Sequence, residues 1–411
     1  MRLLHTSDWH LGHTLKDVPR DHEHAAFLAW LLEACAREVP DVLVITGDVF
    51  DSGTPPASAE RMWFELLAKA RRACPAMDII AIAGNHDSPA RLGAPAAVLR
   101  ELGVHVIGGL PRRPDGALDL DRILIPVAGG RGLVACVPFL RPVDVPPDVD
   151  DPLALVYGEV VAAARVRRTP EQALVVLGHL YVTGADPSHL SERRISIGGA
   201  ESTSLRLFPD DLSYVALGHM HRAQRVGRET IRYAGAPIAL SLDEARYRHQ
   251  VVVVDFAGPT ASEIRSVDIP QVIDIVRIPA RGTASLDQVI ALISALPSRL
   301  DGDDPARPFL EVVVALDRPE PRLRTMIETA LDGKRARLVQ LHATVTGDGA
   351  ALGDRLTAQR LAELDPRDVF SRLWARTHAE EPSPSVRGAF ERLLADVHGD
   401  AEDPARKREA S

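Results

Sequence analysis

The sequence predicts an α/β fold, and the order of its apolar segments is the main reason. Over the first hundred residues, short β-branched runs alternate with longer segments in which apolar residues recur every three or four positions. Such alternation is typical of βαβ units, whose parallel strands are buried on both faces. From Arg122 onward short apolar runs dominate, so the following part of the chain is predicted to be mostly strand.

The individual elements follow from this pattern in chain order. The first predicted strands are "RLLHT", "DVLVIT" and "DIIAIA", and the helices between them cover 25–37 and 59–72. The later predicted strands are "RILIPV", "GLVACVPF", "ALVVLG", "SYVALG", "IRYAG" and "QVVVVDF", with one helix over 152–168. Residues 1–270 are therefore predicted to form the first domain.

A smaller α+β domain is predicted over 271–350, after "EIRSVDIP". Its elements are "IVRIPA", a helix over 286–296, "FLEVVVAL", a helix over 322–331, and "RLVQLHATV". Residues 351–398 are predicted to be helical, at about 366–378 and 386–397, and each helix has an apolar stripe. The stripes either pack on the small domain or bind a partner. The polar end, 399–411, is predicted to be disordered.

Composition limits the class of protein. The 411 residues are 45% hydrophobic and 26% charged, as expected of a globular chain with two or three domains. No run approaches the roughly 20 apolar residues of a membrane span, and no signal-peptide pattern precedes the first strand. Cys35, Cys74 and Cys136 lack metal-type spacing, so a reducing cytoplasm is expected. The net charge of -9 argues against a protein that coats nucleic acid, but metal ions could reverse the sign locally.

Five predicted strands end in acidic, amide or imidazole side chains. These motifs are Asp8-x-His10, Gly47-Asp48, Gly84-Asn85-His86-Asp87, Gly178-His179 and Gly218-His219-Met220-His221. In open α/β sheets ligands bind at the carboxyl ends of the strands, so these groups are predicted to converge on one site. Each motif taken alone could be an ordinary turn or helix cap, but their joint occurrence after apolar strands favours a functional site.

The residue types in these motifs indicate two divalent metal ions. Imidazole, carboxylate and amide ligands suit manganese, iron or zinc, and the lack of cysteine ligands argues against a structural zinc. Asp48 has two carboxylate oxygens and could bridge two ions. Two ions roughly 3.5–4 Å apart can bind both the attacking and the leaving oxygen of a phosphoryl displacement.

The same motifs, in the same order, resemble the calcineurin-like metallophosphoesterases. Within that superfamily the nuclease subunits of DNA-repair complexes are the most similar, densely over residues 1 to about 256. The segments that resemble them are "HTSDWHLG", "GDVFDSGTPP", "AGNHDS", "ALGHMHRAQ" and "YAGAPIALSLDE". The resemblance implies a sandwich of two central mixed β-sheets flanked by helices, with a smaller α+β capping domain and C-terminal helices.

The resemblance also implies roles for individual residues. One metal ion would be held by Asp8, His10 and His221, the other by Asn85, His179 and His219, and Asp48 would bridge them. His86 would orient the phosphate and act as general acid, while Asp87 would pair with His86 and fix its tautomer. Asp51 stands where archaeal and eukaryotic relatives have a histidine, which leaves open whether position 51 aids catalysis.

Some residues near the motifs have weaker assignments. Arg193 and Arg194 in "SHLSERRISIGG", and Arg222 after the last motif, are candidates for contacts with a DNA backbone. Such contacts would position DNA without reading its sequence, and the alternative is a solvated loop. His13 lies outside the family's pattern and is expected to be a solvated loop histidine, and Met220 is expected to pack in the core.

The function implied by the resemblance is that of a DNA nuclease in repair, recombination and the replication of palindromes. It would be a 3′-to-5′ exonuclease on double-stranded ends and an endonuclease on single strands and hairpins. Two divalent ions, Mn²⁺ foremost and Mg²⁺, Fe²⁺ or Zn²⁺ as alternatives, would activate the attacking water.

The resemblance also implies a partner, an ABC-type ATPase, bound by a homodimer of this chain in a heterotetramer. The chain has no Walker phosphate loop, so any dependence on ATP must come from that partner. No membrane partner is expected. One alternative is a phosphoesterase acting on small molecules or phosphoproteins. Another is a non-catalytic scaffold, against which the complete set of candidate ligands argues.

Overall fold

The chain is described from a computed structural model, and it divides into two units, Met1–Thr346 and Gly347–Ser411. The described residues are 1–145, 149, 151–186, 203–299, 302, 304–345, 370, 374, 382–383, 386 and 389–390. Arg193 and Arg194, and most of the two predicted C-terminal helices, lie outside them. The domain boundaries predicted at residues 270, 350 and 398 stay predictions.

The strands and helices of the first unit follow the predicted alternation. The strands are β1 (Arg2–Thr6), β2 (Thr14–Leu15), β3 (Val18–Pro19), β4 (Val42–Thr46), β5 (Asp78–Ile82), β6 (Val104–Ile107), β7 (Leu124–Val127), β8 (Gly132–Cys136), β9 (Ala173–His179), β10 (Tyr214–Gly218), β11 (Gln224–Val226), β12 (Arg228–Tyr233), β13 (Gln250–Ala257), β14 (Thr260–Asp268), β15 (Ile275–Ile278), β16 (Ala284–Ser285), β17 (Phe309–Leu316) and β18 (Arg337–Val345). The helices are α1 (Asp21–Glu38), α2 (Ala57–Ala73), α3 (Pro89–Gly93), α4 (Ala96–Glu101), α5 (Leu120–Ile123), α6 (Pro152–Arg167), α7 (Leu286–Ser294) and α8 (Leu323–Leu331). Among the described helices, none combines the length and apolar character needed to cross a membrane.

Two six-stranded mixed sheets form the centre of this unit, as the family resemblance implied. The first sheet has the order β14-β13-β1-β4-β5-β6, in which β1, β4, β5 and β6 are parallel and β13 and β14 are antiparallel to their neighbours. The second has the order β11-β12-β10-β9-β8-β7, in which the middle four strands are parallel. The parallel strands bring their carboxyl ends to one edge of each sheet.

The apolar core lies on both faces of the first sheet, because neighbouring residues of a strand point to opposite faces. Leu3 of β1 belongs to the cluster shared with the second sheet, while Leu4 belongs to the cluster under helices α1 and α2. Trp63 of α2 is buried in that second cluster. Strands β1, β4 and β5 are almost wholly buried, so the prediction that these parallel strands are buried on both faces is confirmed.

A buried polar network connects the two sheets near the ends of their strands. His5 of β1 lies 3.1 Å, through Nδ1, from the hydroxyl of Tyr214 in β10, and 3.0 Å, through Nε2, from the hydroxyl of Thr46 in β4. Burial lowers the pKa of His5 to about 3, so its ring is neutral near pH 7. With one ring nitrogen donating and the other accepting, His5 fixes the two sheets relative to one another.

A third, four-stranded sheet is built around β17, which pairs in parallel with β15, β16 and β18. Helices α7 and α8 contribute Val289 and Ile327 to its apolar cluster. This sheet contacts the N-terminal hairpin β2–β3 through a cluster that includes Leu15 and Phe309, and the guanidinium of Arg20 lies 5.1 Å from the Phe309 ring. The predicted α+β region therefore has its own sheet and its own core.

The element predictions were wrong in a few places. The predicted strand "RILIPV" begins as the short helix α5 and becomes strand only at Leu124. Strand β14 has no prediction because most of its side chains are exposed or half-buried, so it lacks the apolar signal of a core strand. Strand β6 and the short elements β2, β3, β11, β16, α3 and α4 also had no prediction, and helix α1 begins at Asp21, four residues before its predicted start. The other predicted helix ends differ by one to two residues.

Candidate metal centre

The predicted motifs lie together because they follow the carboxyl ends of β1, β4, β5, β9 and β10, in the two central sheets. The ends of β4 and β10 come very close. A Cβ atom on Gly218 would lie 1.9 Å from the Thr46 carbonyl oxygen, and one on Gly84 would lie 2.1 Å from Asp48 Oδ1. Only glycine fits at these two positions, so the glycines that precede the motifs permit the strand ends to meet.

The backbone at the centre adopts conformations that side-chain-bearing residues rarely occupy. Asp8, His10, Asp48 and His219 all have positive φ, at 53°, 48°, 48° and 98°. A non-glycine residue in the left-handed region costs about 1–3 kcal/mol and persists only where its surroundings enforce it. This concentration of strain at the candidate ligands supports a functional role for the backbone turns.

One group of candidate ligands forms around Asn85. Its side-chain Oδ1 lies 3.0 Å from His179 Nε2 and 2.9 Å from His219 Nδ1. Asp48 Oδ2 lies 3.3 Å from the same His179 nitrogen. Four potential ligand atoms therefore surround one point, as the predicted second ion requires.

The other group consists of Asp8, His10 and His221, whose ligand atoms all lie within 4.8 Å of one another. His10 Nε2 is 3.5 Å from Asp48 Oδ2, so the same carboxylate oxygen borders both groups. Asp8 Oδ2 and His10 Nε2 are buried, and no hydrogen-bond partner exists for either atom within the described part of the chain. Buried polar atoms are normally paired, so these two atoms fit a site for a cation.

The charges of the centre are strongly coupled. Burial opposes the ionisation of Asp48, yet the imidazoles of His179 and His10 hold its pKa well below its usual range. Although burial disfavours the charged ring, Asp48 raises the pKa of His179 to about 9. Burial lowers the pKa of His219 to about 3, helped by the nearby His179. The pocket thus favours an anionic Asp48 that faces a positive charge. In this chain a proton on His179 supplies that charge, and a bound cation could replace the proton.

His86 and Asp87 are both at the centre, but they do not pair as expected. His86 Nδ1 donates a hydrogen bond to the Asp51 carbonyl oxygen at 2.8 Å. The Asp87 carboxylate instead accepts from three backbone N–H groups, those of Val49, Phe50 and Gly84. The expectation that Asp87 fixes the tautomer of His86 is therefore corrected: the Asp51 carbonyl contacts His86, and Asp87 joins the turns after β4 and β5.

Two further residues of the centre escaped the sequence reasoning. Glu244, fully buried in a 3₁₀ helix (Leu242–Arg246), accepts a hydrogen bond from His221 Nδ1 at 3.0 Å. His13, expected to be a solvated loop histidine, lies 3.0 Å from both Asp51 Oδ1 and the Leu240 carbonyl oxygen. Neither could be found from local spacing, since each depends on a contact with a segment far away in the chain.

A cleft of about 1250 Å³ opens beside the metal centre. His10, His86 and His221 line one end, and the wall continues over Lys16 and Arg246 to the third sheet. The predicted DNA contact Arg222 is not among the lining residues. Its guanidinium pairs with Asp186 and lies 5.9 Å from the Tyr247 ring.

Comparison with known proteins gives consistent matches along the chain. The calcineurin-like phosphoesterase family model matches residues 1–223, and the model described as type 5 capsule protein repressor C-terminal domain matches residues 272–378. The SbcD subunit of the nuclease SbcCD from Rhodobacter capsulatus is 40% identical over 389 residues, covering 90% of this chain and 94% of the relative. The Escherichia coli K12 protein of the same name is 33% identical, covering 66% and 68%, and the Bacillus subtilis one is 37% identical, covering 62% and 66%.

Proposed function

Because this chain belongs to the calcineurin-like phosphoesterase family and, within it, to the SbcD subunits of SbcCD nucleases, we propose that it is a metal-dependent DNA nuclease. It cleaves double-stranded ends as a 3′-to-5′ exonuclease, and single strands and hairpins as an endonuclease. The observation that carries the proposal is the convergence of the candidate ligands around Asp48 Oδ2 at one end of a cleft of about 1250 Å³.

In this proposal Asp8, His10 and His221 hold one divalent cation, Asn85, His179 and His219 hold the other, and Asp48 borders both. The donor set of imidazole, carboxylate and amide fits Mn²⁺ best, with Fe²⁺, Zn²⁺ and Mg²⁺ as alternatives. Two such cations supply Lewis acidity, which lowers the pKa of the attacking water and offsets the phosphate charge. The two orphaned buried atoms, Asp8 Oδ2 and His10 Nε2, support this assignment.

His86 is the proposed general acid. Because its Nδ1–H is held by the Asp51 carbonyl, the ring presents Nε2 as the nitrogen available to a substrate in the cleft. As an imidazolium it would donate that Nε2 proton to the leaving sugar oxygen. Asp87 serves the reaction indirectly, since its bonds to Val49 and Gly84 hold the turn on which His86 stands.

The size and walls of the cleft favour a polymer over a small substrate. Pockets for small molecules typically measure about 300–1,000 Å³, and this cleft is larger. The exposed side chains of Lys16 and Arg246 line this cleft, where they can contact backbone phosphates of a bound strand. Arg277 on the same wall is held by the carbonyl oxygens of Pro279 and Gly282, which fixes its position.

The test offers the purified chain three substrates: labelled hairpin DNA, a cyclic nucleotide and a chromogenic phosphate ester. We expect DNA cleavage with Mn²⁺, none with EDTA, and restoration when Mn²⁺ is added in excess of the chelator. Hydrolysis of the ester or the cyclic nucleotide with intact DNA would instead identify a small-molecule phosphoesterase. A chain that hydrolyses none of the three in Mn²⁺ would be a non-catalytic scaffold.

We further propose that the chain works in the cytoplasm as a homodimer bound to an SbcC-type ABC ATPase, in a heterotetramer. The relatives are named as one component of SbcCD, which supports such a partner. The second unit supplies an aromatic cluster in which Phe370 stacks on Phe390 at 4.2 Å and lies 5.9 Å from Trp374. Aromatic side chains of this kind are common anchors in helix-in-groove binding. The three free cysteines agree with a reducing compartment.

Truncation after Thr357 tests the partner assignment. Because Met1–Thr346 forms a unit of its own, the truncated chain should retain Mn²⁺-dependent endonuclease activity on single strands. It should lose co-purification with the co-expressed ATPase, which the full-length chain retains as the control. Undiminished recovery of the ATPase would contradict the assignment, and a truncated chain that is unfolded by circular dichroism would show that the helices pack on the preceding domain.

A further inference from the structure

We infer that Asp51 and Glu244 are positioning residues that make the cation site of Asp8, His10 and His221 the tighter of the two. This inference rests on the proposed metal centre and assigns its two sites different affinities. The observation behind it is that carboxylates support the imidazoles of the first site, whereas a backbone carbonyl supports His179 in the second.

The Asp51 carboxylate orients His10. His10 Nδ1 donates to Asp51 Oδ1 at 3.1 Å, which places the proton on Nδ1 and leaves the lone pair on Nε2. That Nε2 atom is buried, lies 3.5 Å from Asp48 Oδ2 and has no hydrogen-bond partner among the residues that the structure describes. Asp51 thus fixes both the tautomer and the direction of this candidate ligand.

Glu244 does the same for His221, with greater constraint. Its Oε1 accepts from His221 Nδ1 at 3.0 Å, and its Oε2 accepts from the backbone N–H of Leu240 at 2.8 Å. With both oxygens engaged and the residue fully buried, the carboxylate has a single orientation. The His221 ring is therefore held in one orientation, with Nδ1 on the Glu244 carboxylate.

The two carboxylates belong to one hydrogen-bonded chain. His13 contacts Asp51 Oδ1 through Nδ1 and the Leu240 carbonyl through Nε2, each at 3.0 Å, and the Leu240 N–H continues to Glu244. Both ring nitrogens of His13 therefore face hydrogen-bond acceptors. This network joins the loop after β1 to the 3₁₀ helix Leu242–Arg246.

The second site has a weaker support. His179 Nδ1 donates to the Thr46 carbonyl oxygen at 2.8 Å, a neutral acceptor. Hydrogen bonds to an ionised acceptor are roughly twice as strong as neutral ones, and they make the imidazole a better electron donor to a metal. The site of His10 and His221 should therefore fill first as the Mn²⁺ concentration rises.

Calorimetric titration with Mn²⁺ alone tests this order of filling. The wild-type chain should show two classes of affinity, and Glu244→Gln and Asp51→Asn should each weaken the tighter class by about 10–100-fold, as loss of an outer-shell partner typically does. Asp243→Asn is the matched control, because Asp243 is exposed on the same 3₁₀ helix and should leave both classes unchanged. The variant His219→Ala removes a ligand of the second site only, so it should retain the tighter class.

Several outcomes would overturn the inference. They are a single undivided class in the wild type, tight binding that survives both carboxylate substitutions, or loss of the tight class in His219→Ala. If circular dichroism shows that Glu244→Gln unfolds, Asp51→Asn decides, since Asp51 is partly exposed and tolerates the change more readily. A wild-type chain that binds no Mn²⁺ would instead contradict the proposed metal centre, so the two failures are distinguishable.

Discussion

Replacement of His86 by glutamine should lower Mn²⁺-dependent cleavage of hairpin DNA by about 10²–10⁴-fold, because general acid catalysis is typically worth that much. Glutamine can still donate to the Asp51 carbonyl, which His86 Nδ1 contacts at 2.8 Å, but it cannot transfer a proton to the leaving oxygen. Since His86 is not among the proposed ligands, calorimetry should show nearly unchanged Mn²⁺ binding.

The matched control for this variant is His22→Gln, because His22 is exposed on α1 and away from the proposed chemistry. Single-turnover cleavage of labelled DNA at saturating Mn²⁺ measures the effect on the reaction itself. A His86→Gln rate close to that of the control would show that another group supplies the proton.

Asp48→Ala should produce the larger loss, because it removes a carboxylate oxygen that borders both cation sites. Asp48 Oδ2 lies 3.5 Å from His10 Nε2 and 3.3 Å from His179 Nε2. We expect Mn²⁺ affinity to fall at both sites by more than the roughly 100-fold that loss of an outer-shell partner can cost, and DNA cleavage to become undetectable.

The same carboxylate also accepts a hydrogen bond from the backbone N–H of His86 at 2.8 Å, so the fold of the variant must be verified by circular dichroism. Asp48→Asn keeps an oxygen for that bond and serves as the conservative comparison. If Asp48→Ala and His86→Gln bind Mn²⁺ equally well, the proposed division between metal ligand and proton donor is wrong.

The position of the metal centre could be predicted because it depends on short-range signals. Each motif directly follows an apolar strand, and parallel strands of a sheet end at the same edge, so Asp48 and Asn85 had to be neighbours once β4 and β5 were identified. The burial of the first strands on both faces was likewise predictable, since residues such as Leu3 and Leu4 belong to a strand that is apolar on both faces. The arrangement in two central sheets came only from the family resemblance.

The hydrogen-bond partners of the candidate ligands could not be predicted, because they depend on contacts between distant segments. Nothing in "SLDE" distinguishes the buried Glu244 from the exposed Asp243, and only the path of the chain after β12 brings Glu244 to His221. Asp87 illustrates the same limit. Its position next to a histidine in the sequence suggested a pair with His86, but its carboxylate instead accepts hydrogen bonds from backbone N–H groups of two turns.

The left-handed backbone at the candidate ligands lowers the free energy of unfolding of this protein, and therefore its thermal stability. The strained residues are Asp8, His10, Asp48 and His219. Net stabilities are about 5–15 kcal/mol, so several strained residues together offset a substantial part of what the core provides. Glycine would relieve each position but would delete a ligand, which is the usual trade between stability and activity. Strain outside the centre can be relieved without that loss, for example at Val39, which is 71% exposed and ends α1 with a φ of 49°.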